Sequence, residues 1–140
     1  MAWDQAAAIK HLQDNAEPPY GVGKCATYVR EAIEAGGVTI SRAGSGSAKD
    51  YGGRLIGAGF VLLAGDPAIY AAGDVAVIDG FAKDSDKGIK KDHLDGHLAM
   101  YDGSQWISDF KQTGTKPYPG SDYVKAAPAF RIYRFPTAEK

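Results

Sequence analysis

With 140 residues, 44% of them hydrophobic and 24% charged, the chain has the make-up of one globular domain, read here as spanning 1–140. A formal net charge of −1, from 16 basic and 17 acidic residues, gives no electrostatic reason to expect nucleic acid or an anionic membrane as partner. The single cysteine, Cys25, excludes an internal disulfide, and no stretch approaches the ~20 apolar residues of a membrane span.

The N-terminal MAWDQAAAIKHLQDN lacks the basic and long apolar regions of a secretory signal, so synthesis in the cytoplasm is expected. Residues 3–15 read as a helix, with Ala6, Ile9 and Leu12 at helical spacing. Pro18-Pro19 ends it, and Gly21 and Gly23 bracket a turn. A second helix begins near Lys24. Its apolar members Ala26, Val29, Ala32 and Ile33 follow the i, i+3, i+4 rule, and Gly36-Gly37 stops it. A small polar loop leads into a short helix around 48–57. The period then changes. FVLLA (60–64), DVAVID (74–79), HLAMYD, QWISDF and FRIYRF (130–135) are strand candidates, and the charged FAKDSDKGIKKD (81–92) is an exposed loop. Helices first and then an antiparallel meander predict an α+β fold.

Cys25 falls at the start of the second helix, directly after the glycine-containing turn. Unpaired amides and the positive helix end stabilise a thiolate there, and the thiolate is the nucleophile of cysteine catalysis. The other readings are a packing residue or an intermolecular partner. His97 follows Gly96 at the start of the HLAMYD strand, and neutral imidazole there is placed to accept a thiol proton. A satisfied core histidine is the alternative. His93, in the charged loop, and His11, on the first helix, read as solvated surface residues.

The hairpin that follows His97 has two readings. A three-residue loop at 102–104 pairs Tyr101 with Gln105 and puts Asp109 opposite His97, where a carboxylate would fix the ring's tautomer. A two-residue Asp-Gly turn instead puts Ser108 opposite His97 and turns Asp109 away. No metal site and no cofactor are indicated: His93 and His97 would share a face only on a helix, and Gly44-Ser45-Gly46 lacks the context of a phosphate loop.

The segments Pro19-Tyr20, Gly23-Lys24-Cys25-Ala26-Thr27-Tyr28-Val29-Arg30, Ala72-Gly73-Asp74-Val75, Gly96-His97-Leu98 and Trp106-Ile107-Ser108-Asp109-Phe110 occur in that order. Together they resemble the NlpC and CHAP superfamily of papain-like peptidoglycan hydrolases, over about residues 18–135. Lys24-Cys25-Ala26-Thr27 stands where that family commonly has Asp-Cys-Ser-Gly, which favours a CHAP-like or secreted-effector branch. The resemblance implies a papain-like α+β fold and a catalytic set of Cys25, His97 and Asp109. It places Tyr20 and Lys24 at the substrate cleft, with the oxyanion held by backbone N–H groups near Cys25. It implies an amide of the peptidoglycan stem peptide or cross-link as substrate. Small amidases delivered by type VI secretion into rival bacteria are similar in size and layout, as are some phage lysins. Such an effector would act as a monomer in a target's periplasm and would face a cognate immunity protein in its cleft. A non-catalytic wall-binding or partner-binding module on the same fold is the alternative from another class.

Overall fold

A computed structural model describes residues 3–16, 25–40, 47–63, 69–112, 114 and 116–136. Helix α1 spans Gln5–Asn15 and is capped by Asp4, whose carboxylate accepts from the Ala7 N–H at 3.0 Å. Its buried positions are Ala8 and Leu12, one turn apart, with Ile9 half-buried; Ala6 faces solvent, so the buried stripe is rotated from the one expected. Helix α2, Cys25–Ala35, buries Val29, Ala32 and Ile33 as the spacing predicted and packs on α1. A 3-10 turn at Ala48–Asp50 and helix α3, Gly52–Ala58, follow. Among the described residues, no helix is long and apolar enough to cross a membrane.

Five antiparallel strands form one sheet in the order β1-β5-β2-β3-β4: β1 Val61–Leu62, β2 Val75–Ile78, β3 His97–Tyr101, β4 Trp106–Ile107 and β5 Phe130–Arg134. Alternation divides the core between the two faces of the sheet. Val75, Val77, Leu98 and Met100 join α1 and α2 in the larger cluster. Ala76, Ile78, Ala99, Trp106 and Ile132 face the other way, toward Tyr123 of helix α4, Ser121–Ala126. The α+β architecture is the one the sequence predicted; α4 is an addition to it. Asp74, which opens β2, is fully buried and takes both arms of the Arg134 guanidinium, at 2.8 and 2.9 Å, tying β2 to β5.

The β3–β4 hairpin has neither expected register. Tyr101 pairs with Trp106 and Met100 with Ile107, so the connecting loop has four residues, 102–105. Asp102 explains the length: its Oδ1 accepts from the Ser104 and Gln105 backbone N–H groups, both at 2.8 Å, and closes the loop as an Asx turn. Beyond Ile107 the chain reverses at once. Ser108 N–H donates to Phe110 O, Ile107 bridges Lys111, and Gln112 N–H returns to Trp106 O at 2.9 Å. Asp109 therefore lies in a tight turn rather than opposite His97, and Gln112 is carried back toward β3.

Candidate active site

Cys25 begins α2, where the first amides have no intrahelical partner, and His97 begins β3. Both line one cleft of ≈ 920 Å³, together with Asp109 and Phe110, residues 90–96 and residues 119–123. The two side chains approach it from opposite faces of the sheet. Cys25 packs with the helix-side core, whereas His97 pairs with Ile78 and shares the face of Ala99. The Leu98 backbone N–H, one residue past the histidine, interacts with the sulfur. Among the described residues no hydrogen bond joins that sulfur to the His97 ring. Contacts of this kind are commonly long before substrate binds and tighten around it.

The approach to His97 depends on Gly96. Its φ of +71° is left-handed, and a Cβ there would collide with the Ile78 carbonyl. The imidazole is buried, and its Nε2 lies 2.7 Å from Gln112 Oε1. Gln112 Nε2 donates to the Pro117 carbonyl at 2.8 Å. A carbonyl only accepts, so this contact fixes which way the amide points. Oε1 must then accept, His97 Nε2 must carry the proton, and Nδ1 of the neutral ring is left as the acceptor.

Electrostatics correct the expectation of a low-pKa thiol. Burial pushes the Cys25 thiol up to about 11, and the negative charge of Asp109 adds to the rise; the N–H groups of Leu98, Ala26 and Cys25 itself oppose it without overcoming it. Burial pulls His97 down to about 4, against the Gln112 hydrogen bond and the Asp109 charge, which favour the imidazolium. The pair is neutral thiol and neutral imidazole at pH 7. Asp109 is buried, accepts from Ser108 Oγ at 3.2 Å, and acts on both groups through its charge.

His93 departs from its reading as a solvated residue. Half-buried on the cleft wall, its Nε2 is 3.0 Å from Asp122 Oδ2, and its ring lies 5.0 Å from those of Phe81 and Tyr123. The Asp122 carboxyl is held below the usual range mainly by that histidine. His11 lies on α1 and does not line the cleft. Trp106 is fully buried in the core, and Phe110 lines the cleft. Tyr20 and Lys24 lie outside the described residues. Gln112, Asp122 and Tyr123 were not singled out from the sequence. A buried glutamine carries no local mark that separates it from an exposed one, and α4 is too short for a helical period to register. Among the described residues, no group of His, Cys, Asp and Glu could hold a metal ion.

No protein-family model and no curated protein matches the chain. Among solved structures, a chain of the native type VI effector–immunity complex Tae3–Tai3 from Ralstonia pickettii is similar at 43% identity and a TM-score of 0.76, over 95% of this chain and 99% of that one. The selenomethionine form of that complex gives 46% identity and a TM-score of 0.73, over 91% of this chain and 98% of that one.

Proposed function

The chain belongs to the Tae3 family of type VI effectors, and from that premise we propose that it is an antibacterial amidase that cuts an amide of the peptidoglycan stem peptide or cross-link, with Cys25 as nucleophile and His97 as base. The observation that carries this reading is the meeting of Cys25 and His97 at one cleft, with the ring held by Gln112 so that Nδ1 is its acceptor. In the reaction, Nδ1 takes the thiol proton as the sulfur attacks the scissile carbonyl. Backbone N–H groups at the start of α2 receive the oxyanion. The imidazolium then returns its proton to the leaving amine, and water hydrolyses the thioester with the same ring as base. Because both groups start neutral, the ion pair forms as the substrate fills the cleft. Asp109 supports the imidazolium half of that pair.

The motif order that resembles the NlpC and CHAP superfamily supports the same chemistry on a papain-like fold. The similar structures are effector–immunity complexes. By analogy, the protein acts on the wall of a target bacterium, and a cognate immunity protein blocks its cleft.

Isolated sacculi digested with wild type, Cys25→Ala, His97→Ala and His93→Ala, with the released muropeptides resolved by mass, test the reading. Wild type and His93→Ala are expected to yield new peptide ends, and the other two variants none. Equal product from Cys25→Ala removes the thiol from the mechanism; loss in His93→Ala with retention in His97→Ala moves the base to His93.

A further inference from the structure

The short helix α4 is fastened to the histidine loop at three successive points. Asp122 pairs with His93 at 3.0 Å, Tyr123 donates its hydroxyl to the Gly96 carbonyl at 2.9 Å, and Lys125 Nζ donates to the Gly88 carbonyl at 3.1 Å. The middle contact differs from its neighbours. The Gly96 carbonyl belongs to the peptide group whose nitrogen is that of His97, so its orientation sets the direction in which the imidazole leaves the backbone. That peptide follows a left-handed glycine, a conformation with little local preference of its own to hold it. The Tyr123 ring adds a second restraint, lying edge-on to His97 at 5.8 Å between ring centres, and it also packs against His93, Phe81 and Tyr118. The tyrosine is 5% exposed, and its hydroxyl stands near enough to Cys25 for a thiolate there to oppose ionisation of the phenol, after burial itself.

We propose that Tyr123 is a positioning residue for proton transfer, holding the Gly96–His97 peptide and the edge of the imidazole so that Nδ1 faces the thiol. This inference rests on the cysteine–histidine reading. Gln112 restrains the ring at Nε2, the far end; Tyr123 restrains it at its root. Two restraints at opposite ends of a buried ring leave it little freedom to turn, and an error of about 1 Å at such a group can cost on the order of 100-fold in rate.

The test is a cycle of Tyr123→Phe, His97→Ala and the double variant. Two readouts are taken for each protein: kcat and KM on a soluble cross-linked stem peptide, and the rate of Cys25 alkylation by iodoacetamide at pH 7, which needs no substrate. Phe keeps the buried ring and deletes only the donor. Tyr123→Met, which also lacks the donor, repeats the measurement should Phe fold poorly. We expect Tyr123→Phe to lower kcat about 10-fold with KM little changed. Alkylation should slow in the wild-type background and not slow further when His97 is already alanine, because the tyrosine acts through that ring. Lys125→Ala, which loosens α4 without touching Gly96, should leave kcat within about twofold. Wild-type kcat in Tyr123→Phe overturns the proposal, as does an equal alkylation loss in both backgrounds or an equal kcat loss in Lys125→Ala. Absence of turnover by wild type would count against the hydrolase reading itself, and the alkylation cycle would still decide the role of Tyr123.

Discussion

His97 Nε2 and Gln112 Oε1 lie 2.7 Å apart, so a neutral amide, rather than a carboxylate, orders the imidazole. The amide is oriented in turn by the Pro117 carbonyl, which makes the tautomer a consequence of the backbone path from residue 108 to residue 117. An amide partner stabilises imidazolium less than a carboxylate does, and it leaves burial free to set the ring's basicity.

Replacing the amide separates those roles. Gln112→Ala leaves both His97 Nε2 and the Pro117 carbonyl without their buried partner, at a cost of about 1–3 kcal/mol in stability. It is expected to lower kcat by roughly 10- to 100-fold, since the ring loses its fixed orientation. Gln112→Glu keeps the shape and adds a charge beside Nε2, which raises the pKa of His97 and moves the acid limb of the kcat/KM profile upward. Chemical denaturation and a pH–rate profile check both outcomes; an acid limb unchanged in Gln112→Glu would show that this contact does not govern the ring.

The Cys25 thiol supplies a second test. With its pKa pushed up to about 11 by burial, alkylation should climb steadily with pH above neutrality instead of reaching a plateau below pH 7, as a preformed thiolate–imidazolium pair would. Asp109 raises both partners: its charge opposes the thiolate and favours the imidazolium. Asp109→Asn should therefore shift the thiol midpoint downward, the reverse of what a carboxylate bonded to the ring would give, and should also make His97 harder to protonate. Alkylation followed against pH in the two proteins decides the sign.

The two helices, the five strands and the placing of Cys25 at a helix start and His97 at a strand start were legible because each is written in local pattern: the i, i+4 spacing of Val29 and Ile33, the apolar run Val75–Ile78, and the glycines at 23 and 96. The sheet order was not, because β5 returns between β1 and β2 where a meander was expected. The hydrogen-bond partner of the His97 ring was not legible either. Its identity turns on the Asx turn at Asp102, which lengthens the hairpin to four residues and then lets the chain fold back after Ile107. A side-chain-closed loop of this kind moves the register by one or two residues, and that is enough to replace Asp109 with Gln112 at the ring. The thiol's ionisation is hidden from the sequence for a different reason. A helix start can be read from sequence, but the packing of the sulfur beside Leu98 of β3 and the nearby charge of Asp109 come from elements far away in the chain.

Stability against pH isolates His97. Its pKa falls from 6.5 in the unfolded chain to about 4 in the fold, so between those values the unfolded chain binds more protons than the native protein. Stability from the buried neutral ring is thus fully present above pH 6.5 and is lost as the pH falls toward 4, by about 3 kcal/mol over the whole window. The other shifted groups act elsewhere. Cys25 is raised, so its contribution is full below pH 9 and fades only as the pH climbs toward 11. Asp102 and Asp122 are lowered from 3.8, so theirs fade only below the histidine window. His97→Asn removes the titrating ring while keeping a polar side chain. Urea unfolding of both proteins at pH 7 and pH 4 should show the wild type losing about 3 kcal/mol more than the variant on acidification, from this group alone. Parallel losses in the two proteins would mean that the ring is protonated in the fold without penalty, and the neutral pair described for Cys25 and His97 would have to be abandoned.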